Sequence, residues 1–417
     1  MPKFTEVLKN RNFLLLWVGQ IISQLGDRLG QMSLIALVSL KAGNSTIEIA
    51  KILSFTIIPV FIIGPLAGAY VDRWDRRRTM YASDFLRAAL ILIIPFFFFP
   101  VRIFTPIYLV IFIVFCIGRF FVPAKLSIVP DLVEKKQLLM ANSLVNITGM
   151  IAAILGFGIS GVLVERLGAK GGLYLDSLSF LLSALLIFFI AKKPQASLGI
   201  RKVSQEIVEV IRKSVFQEVK EGVLYFFKNK NIRFSAAIMF ILSSALGGAS
   251  VVLITFIQDT FNSLTRDLGL LGMFLGAGLF LGSLVYGRFG HRVSHYKIIF
   301  ASITLSGMIL AAFALVISRY PYFFAAAALS LVMGFFVSPV IIATNTIIHH
   351  VSENDMMGKT FSSLEIVTHL GFIIFMFIGG FFARRFSHVS ILIAAGALFV
   401  VLGVVNLAYQ RKIPWLN

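Results

Sequence analysis

Gln20, Gln24 and Asp27 recur at i, i+4 and i+7, with Arg28 directly after. On a helix the three share one face. The residues around them are apolar, so this face puts an acid and two amides where water is scarce. A carboxylate in such a place can take up and release a proton, or serve as counter-ion to a ligand. The competing reading is a locked ion pair with Arg28 or with Arg119. Glu365 and His369 form a second titratable pair at i, i+4, and histidine changes charge near neutral pH. Its alternative is a hydrogen bond between helices. Asn142 and Asn146, one turn apart, are candidates to line the mouth of a polar path. Asp84 and Arg87, at i, i+3, read as a structural pair, and Asp176 reads as helix packing.

Such groups need long apolar elements to hold them. Hydrophobic residues make up 58% of the 417-residue chain and charged residues 14%, with mean hydropathy +0.91. Soluble domains average about 25% charged, so the chain belongs to the membrane class. A spanning helix needs about 20 mostly apolar residues. Windows of that kind run over 13–40, 47–71, 79–100, 105–128, 139–165, 171–191, 232–258, 266–289, 297–317, 321–347, 357–382 and 388–410. They are too long and too evenly apolar for the alternating strands of a membrane barrel. The expected fold is an all-α membrane protein with twelve transmembrane helices in two six-helix bundles, residues 1–191 and 232–417. Residues 192–231 join them. In this linker Val203, Ile207, Ile211, Val215, Val219 and Val223 recur every fourth position among Lys, Arg and Glu. That spacing predicts an amphipathic helix on the membrane surface, read as a tether.

The formal net charge is +19. Lys and Arg crowd the loops on one side: Lys3, Lys9 and Arg11, Arg73 and Arg76 to Arg78, the linker, and Arg411 with Lys412. The positive-inside rule then puts both termini in the cytoplasm. Charge spread over short loops faces anionic lipid, and nucleic acid is not an expected partner. The first apolar run, about 28 residues, exceeds the core of a cleavable signal, so none is expected. Cys116 is the single cysteine, so no intrachain disulfide is possible. There is no G-x-S-x-G, Walker loop, H-E-x-x-H or C-x-x-C. Neither enzyme chemistry nor a cofactor is expected. His349 and His350 diverge by about 100° on a helix, which suits a solvated pair better than a metal site.

The halves also look alike. Ile117-Gly118-Arg119 through Pro123 parallels Met333-Gly334 through Pro339, Gly161 to Arg166 parallels Gly379 to Arg384, and Gly64 parallels Gly282, at a nearly constant offset. Parallel repeats of this kind place a substrate path at the interface of the halves.

Between the second and third windows stands Gly68-Ala69-Tyr70-Val71-Asp72-Arg73-Trp74-Asp75-Arg76-Arg77-Arg78. The pattern G-x-x-x-D-R-x-x-R-R resembles the signature loop of the major facilitator superfamily, with Asp75 where that family usually has glycine. The D-R-W-D-R-R-R form, Trp17 to Leu29 and the segment before the seventh window resemble its macrolide and siderophore exporter branch. The resemblance implies secondary active transport in a bacterial inner membrane by alternating access. An amphiphilic small molecule of drug, macrolide or siderophore type would be exported by a monomer in exchange for protons. Gly68, Asp72, Arg73, Arg76 and Arg77 would form a cytoplasmic gate, with the arginines holding headgroups or loop carboxylates. The corresponding loop at Gly287 to Arg292 lacks the aspartate, so the gate would be asymmetric. Drug–proton antiporters of the superfamily carry G-P-x-x-G-G in the fifth helix. Here Gly156-Phe157-Gly158-Ile159-Ser160-Gly161 lacks the proline, which weakens the inference of proton antiport.

Two other readings compete. Phe121 to Lys125, Ala141 to Leu144 and Ala152 to Gly156 resemble the bacterial lysophospholipid transporters, which would make the substrate a lipid. A sensor or scaffold that transports nothing is the third, and it would not need the polar face of the first helix.

Overall fold

Helices account for most of the described residues because the apolar stretches are long, and a few of them begin at side chains that satisfy free backbone amides. The computed structural model describes residues 4–71, 74–98, 104–191, 224, 229–352 and 354–410. After a short helix at Phe4–Leu8, Asn10 accepts from the amides of Asn12 and Phe13 and opens α1 (Arg11–Ala42). Then come α2 (Thr46–Val71), α3 (Arg76–Ile93) and α4 (Thr105–Leu132). A π-helical turn at Ile94–Phe98 extends α3. The stretch Leu138–Phe188 is two helices, α5 and α6, broken at Gly168, whose φ of 74° and ψ of 169° only glycine adopts readily. The second half holds α7 (Lys230–Phe261), α8 (Arg266–Phe289), α9 (His295–Arg319), α10 (Phe323–Val351), α11 (Asn354–Phe382) and α12 (His388–Gln410). Asn229 caps α7 from outside, and Asn262 ends it in the left-handed region at φ 49°.

Ten stretches are long and apolar enough to cross a membrane. One of them, Lys135–Phe188, contains both α5 and α6, and the more polar α1 completes the twelve. Phe96, Phe97, Leu109, Leu126, Phe189 and Phe381 are exposed, as lipid-facing positions should be. The fold class read from the sequence therefore stands.

The helices cluster into two compact units, residues 1–41 with 51–216, and residues 42–50 with 217–417. In the first, Phe13 and Leu16, Met80, Phe121 and Ile128, Ala141 and Val145, and Ile187 and Ile190 form a common core. In the second, α8 packs on α10, α9 on α12, and α7 on α11. Lipid is as apolar as leucine, so close packing rather than transfer from water holds such helices together. Glycines make that approach possible. A Cβ at Gly282 or Gly334 would collide with the backbone of Phe335 or Leu275. Gly64, the sequence counterpart of Gly282, has nothing within 4 Å of a built Cβ among the described residues. The parallel between the halves does not extend to this contact.

Most of the linker, including the predicted amphipathic helix, lies outside the described residues, as do Asp72 and Arg73. Gly68 lies within the last turns of α2.

Candidate functional site

The first unit holds a charged cluster in its interior, positioned by α1, α3 and α6. Arg87 on α3 is its centre. Its Nη2 donates to Asp27 Oδ1 at 2.6 Å and its Nη1 reaches Asp84 Oδ1 at 3.4 Å. Ser183 on α6 donates to the other oxygen of Asp84 at 2.6 Å. The guanidinium sits over Phe180, with Cζ 3.8 Å from the ring centroid. Gly118 of α4 is also a neighbour, since a Cβ built there would stand in ordinary contact, 3.6 Å from Cζ. Exposure divides the cluster. The Asp84 side chain is 0% exposed and Arg87 9%, but Asp27 is 41% exposed. A buried cation thus holds a carboxylate out to an accessible space. A charge-assisted bond of this length is among the stronger hydrogen bonds, and protonating Asp27 would abolish its ionic part.

The remaining face of α1 is not uniform. Gln20 is buried and its Nε2 has no partner among the described residues. Gln24 is half-buried against Gly149 of α5. Arg28 donates to Gln31 at 3.1 Å and sits over Phe157 of α5 at 4.7 Å from its centroid. Asn142 and Asn146 are exposed on α5. Arg119, half-buried on α4, acts electrostatically on Cys116. The ion-pair partner of Asp27 is therefore Arg87, not Arg28 or Arg119. The geometry explains why: Arg28 is turned toward Phe157 of α5, while Arg87 reaches α1 from α3.

In the second unit Glu365 is exposed on α11, and His369 Nδ1 lies 2.8 Å from its backbone carbonyl. The two residues meet through the main chain rather than through the carboxylate. Bonding of this kind, back to a carbonyl one turn earlier, is a local contact within α11.

Arg76 and Arg77 do not project freely. Asp75 caps α3 by accepting from the amide of Arg78 at 3.0 Å. Arg76 donates to Asp131 at 2.7 Å and to the carbonyl of Ser127 at 2.8 Å, both on α4. Arg77 donates to the carbonyl of Ile190 at 2.6 Å, beyond α6, beside Tyr81 and Phe188. Both arginines fasten the start of α3 to its neighbours.

Sequence reasoning passed over Arg87 as a functional residue and gave Asp176 only a packing role. Two signals were present. Asp84 and Arg87 lie inside an apolar window, where charge is costly. Asp176, Ser179 and Ser183 recur at i, i+3, i+7, which marks one polar stripe along α6.

The first unit thus carries a half-exposed ion pair among membrane-length helices, an arrangement suited to a membrane transporter. The sequence places it further. Residues 16–263 and again 234–414 match the sequence profile of the Major Facilitator Superfamily, and the chain belongs to that family. It is 26% identical over 365 residues to the uncharacterized MFS-type transporter YkuC of Bacillus subtilis, covering 85% of this chain and 81% of that one. It is 22% identical to macrolide efflux protein A of Streptococcus pyogenes, covering 94% of each. Among solved structures, the nucleoside transporter NupG superposes with a TM-score of 0.72 at 14% identity, over 96% of this chain and 99% of the other. A bacterial homologue of the iron transporter ferroportin gives 0.68 at 14% identity, over 95% and 98%. At that identity these structures speak for the fold alone. The protein is a membrane transporter and not an enzyme, and the reading as a scaffold that transports nothing gives way.

Proposed function

We propose that this transporter exports amphiphilic small molecules of the drug, macrolide or siderophore kind by alternating access, in exchange for protons. The observation that carries the reading is the pair Asp27–Arg87, in which the accessible partner is the acid. A group that exchanges protons or ligands must be reachable, and its counter-charge must be held within the bundle. Asp27, 41% exposed, and Arg87, 9% exposed, meet both conditions. The likeness to macrolide efflux protein A over 94% of each chain supports the export direction and the substrate class. Gln24, Arg28, Arg119, Asn142 and Asn146 are proposed to contribute to the substrate path, with Gln20 supporting it from within the bundle. Glu365 and His369 are proposed as a second titratable locus. Gly68, Asp72, Arg73, Arg76 and Arg77 are proposed as the gate motif, in a bacterial inner membrane with both termini in the cytoplasm.

In the proposed cycle a proton reaching Asp27 neutralises it and frees it from Arg87. Substrate leaves or binds while the pair is open, and loss of the proton closes it again. The test is flux in proteoliposomes with an imposed pH gradient, using a panel of macrolides, siderophores, cationic dyes and lysophospholipids. Wild-type flux of at least one amphiphile should follow the gradient, and Asp27→Asn should lose that response. Gradient-driven flux that persists in Asp27→Asn would remove Asp27 from the coupling step. Flux of lysophospholipid alone would replace the small-molecule substrate with a lipid.

A further inference from the structure

Asp176 on α6 is 3% exposed, and its Oδ1 has no hydrogen-bond partner among the described residues. Ser179, one turn on, donates to the backbone carbonyl of Asp176 at 2.7 Å and not to its carboxylate. Helix α1 closes over it at two glycines. A Cβ at Gly30 would collide with Asp176 Oδ2, and one at Gly26 with Ser179 Oγ. Phe180, the platform beneath Arg87, follows four residues later on the same face of α6. Arg87 has its own unmet atom: its Nε is buried and lacks a partner among the described residues. A buried donor and a buried acceptor, each unsatisfied, therefore stand in one cluster.

The charges around Asp176 can be named from each neighbouring element. Asp27 on α1 and Arg87 on α3 act on it electrostatically. Arg28 on α1 is engaged with Gln31 and Phe157. Asp84 on α3 is held by Arg87 and Ser183. On α4, Lys125 lies within electrostatic reach of Asp27, and Arg119 acts on Cys116. Among the described residues, the ion pairs of Asp27 and Asp84 both run to Arg87. One guanidinium thus faces three carboxylates. An ionised carboxylate left unpaired in a dry interior is disfavoured so strongly that it takes up a proton instead.

We propose that Asp176 is a second proton site of this transporter, a neutral acid in the arrangement seen here, and that Arg87 alternates between Asp27 and Asp176. The inference rests on the reading of proton exchange given above. When Asp27 gains a proton, an O–H bond forms there and its ion pair with Arg87 is lost. The guanidinium, still stacked on Phe180, turns its unsatisfied N–H toward Asp176. The O–H bond of Asp176 then breaks, its electron pair stays on the carboxylate, and the proton passes to water. One proton is taken and one released, so the charge of the cluster does not change. Arg87 acts in this step as a positioning residue.

Infrared difference spectroscopy on the purified full chain tests the protonation directly. Wild type minus Asp176→Asn should leave one carbonyl band of a protonated carboxylic acid at neutral pH, shifted in D2O. Asp84→Asn should leave that band in place. Asp176→Thr serves the same comparison if the Asn variant does not purify. Absence of the band overturns the proposal. In proteoliposomes Asp176→Asn should retain substrate binding and lose gradient-driven accumulation; accumulation equal to wild type overturns the coupling role even where the band is seen. Wild-type flux indifferent to the pH gradient would instead defeat proton exchange itself, and the two failures are told apart by whether the band is present.

Discussion

Arg87 and Asp27 form a 2.6 Å ion pair in which the cation is buried and the acid is not. The consequence for stability is unequal. Removing Arg87 strands Asp84, which has no exposed surface, and breaking a buried pair from one side costs about 3–5 kcal/mol. Removing the charge of Asp27 strands nothing comparable. Arg87→Gln should therefore lower the thermal unfolding midpoint in detergent far more than Asp27→Asn. Adding Asp84→Asn to Arg87→Gln should recover part of the loss, because the stranded charge goes too. Equal midpoints for Arg87→Gln and Asp27→Asn would contradict the burial seen here.

The glycines of α1 and α2 should answer differently to alanine. At Gly30 the added methyl meets Asp176 and has no room, and overpacking costs about 1–3 kcal/mol. At Gly64 it meets nothing within 4 Å among the described residues, while alanine favours a helix by up to about 1 kcal/mol. Gly30→Ala should destabilise and Gly64→Ala should be neutral or slightly stabilising, read as unfolding midpoints. A destabilising Gly64→Ala would show that the open space at this position is filled in solution.

Asp75 stands where the family resemblance leads one to expect glycine, and it caps α3. Loss of a capping side chain to alanine costs about 0.5–2 kcal/mol, and to glycine only a few tenths. Asp75→Ala should therefore be the harsher change and Asp75→Gly nearly silent, measured by unfolding midpoint and by yield of folded protein. The opposite order would mean that the Asp75 side chain does something other than cap.

Glu365 and His369 meet through a backbone carbonyl. Neutralising the carboxylate leaves that contact intact. The effects of Glu365→Gln and His369→Asn on transport should add to within about 0.5 kcal/mol in a double-mutant cycle. A larger coupling would require the two side chains to interact in another state of the transporter.

Much of the fold was legible because membrane spans are written in apolar length, and length survives any detail of packing. The face of α1 was legible for the same reason, since three polar residues at helical spacing stand out against leucine. The partner of Asp27 was not. Arg28 is adjacent in sequence, but its side chain leaves α1 toward Phe157, while Arg87 arrives from another helix. Which cation reaches a carboxylate depends on which helices lie side by side, and that is a property of the packed bundle. Gln20 makes the same point. It shares the helical face of Asp27, yet it is buried, because a face that is continuous on one helix need not meet the same surroundings along its length.

Gly168 carries a consequence of a practical kind. Its backbone lies at φ 74° and ψ 169°, with nothing within 4 Å of where a Cβ would stand. The obstacle to a side chain there is torsional, not steric crowding by neighbours. The turn between α5 and α6 is thus spacious but has almost no slack, because a single residue makes the break. An epitope tag or fluorescent label inserted at this point would have to unwind a helix end to fit, whereas the same room makes Gly168 a place where an added small molecule meets no side chain.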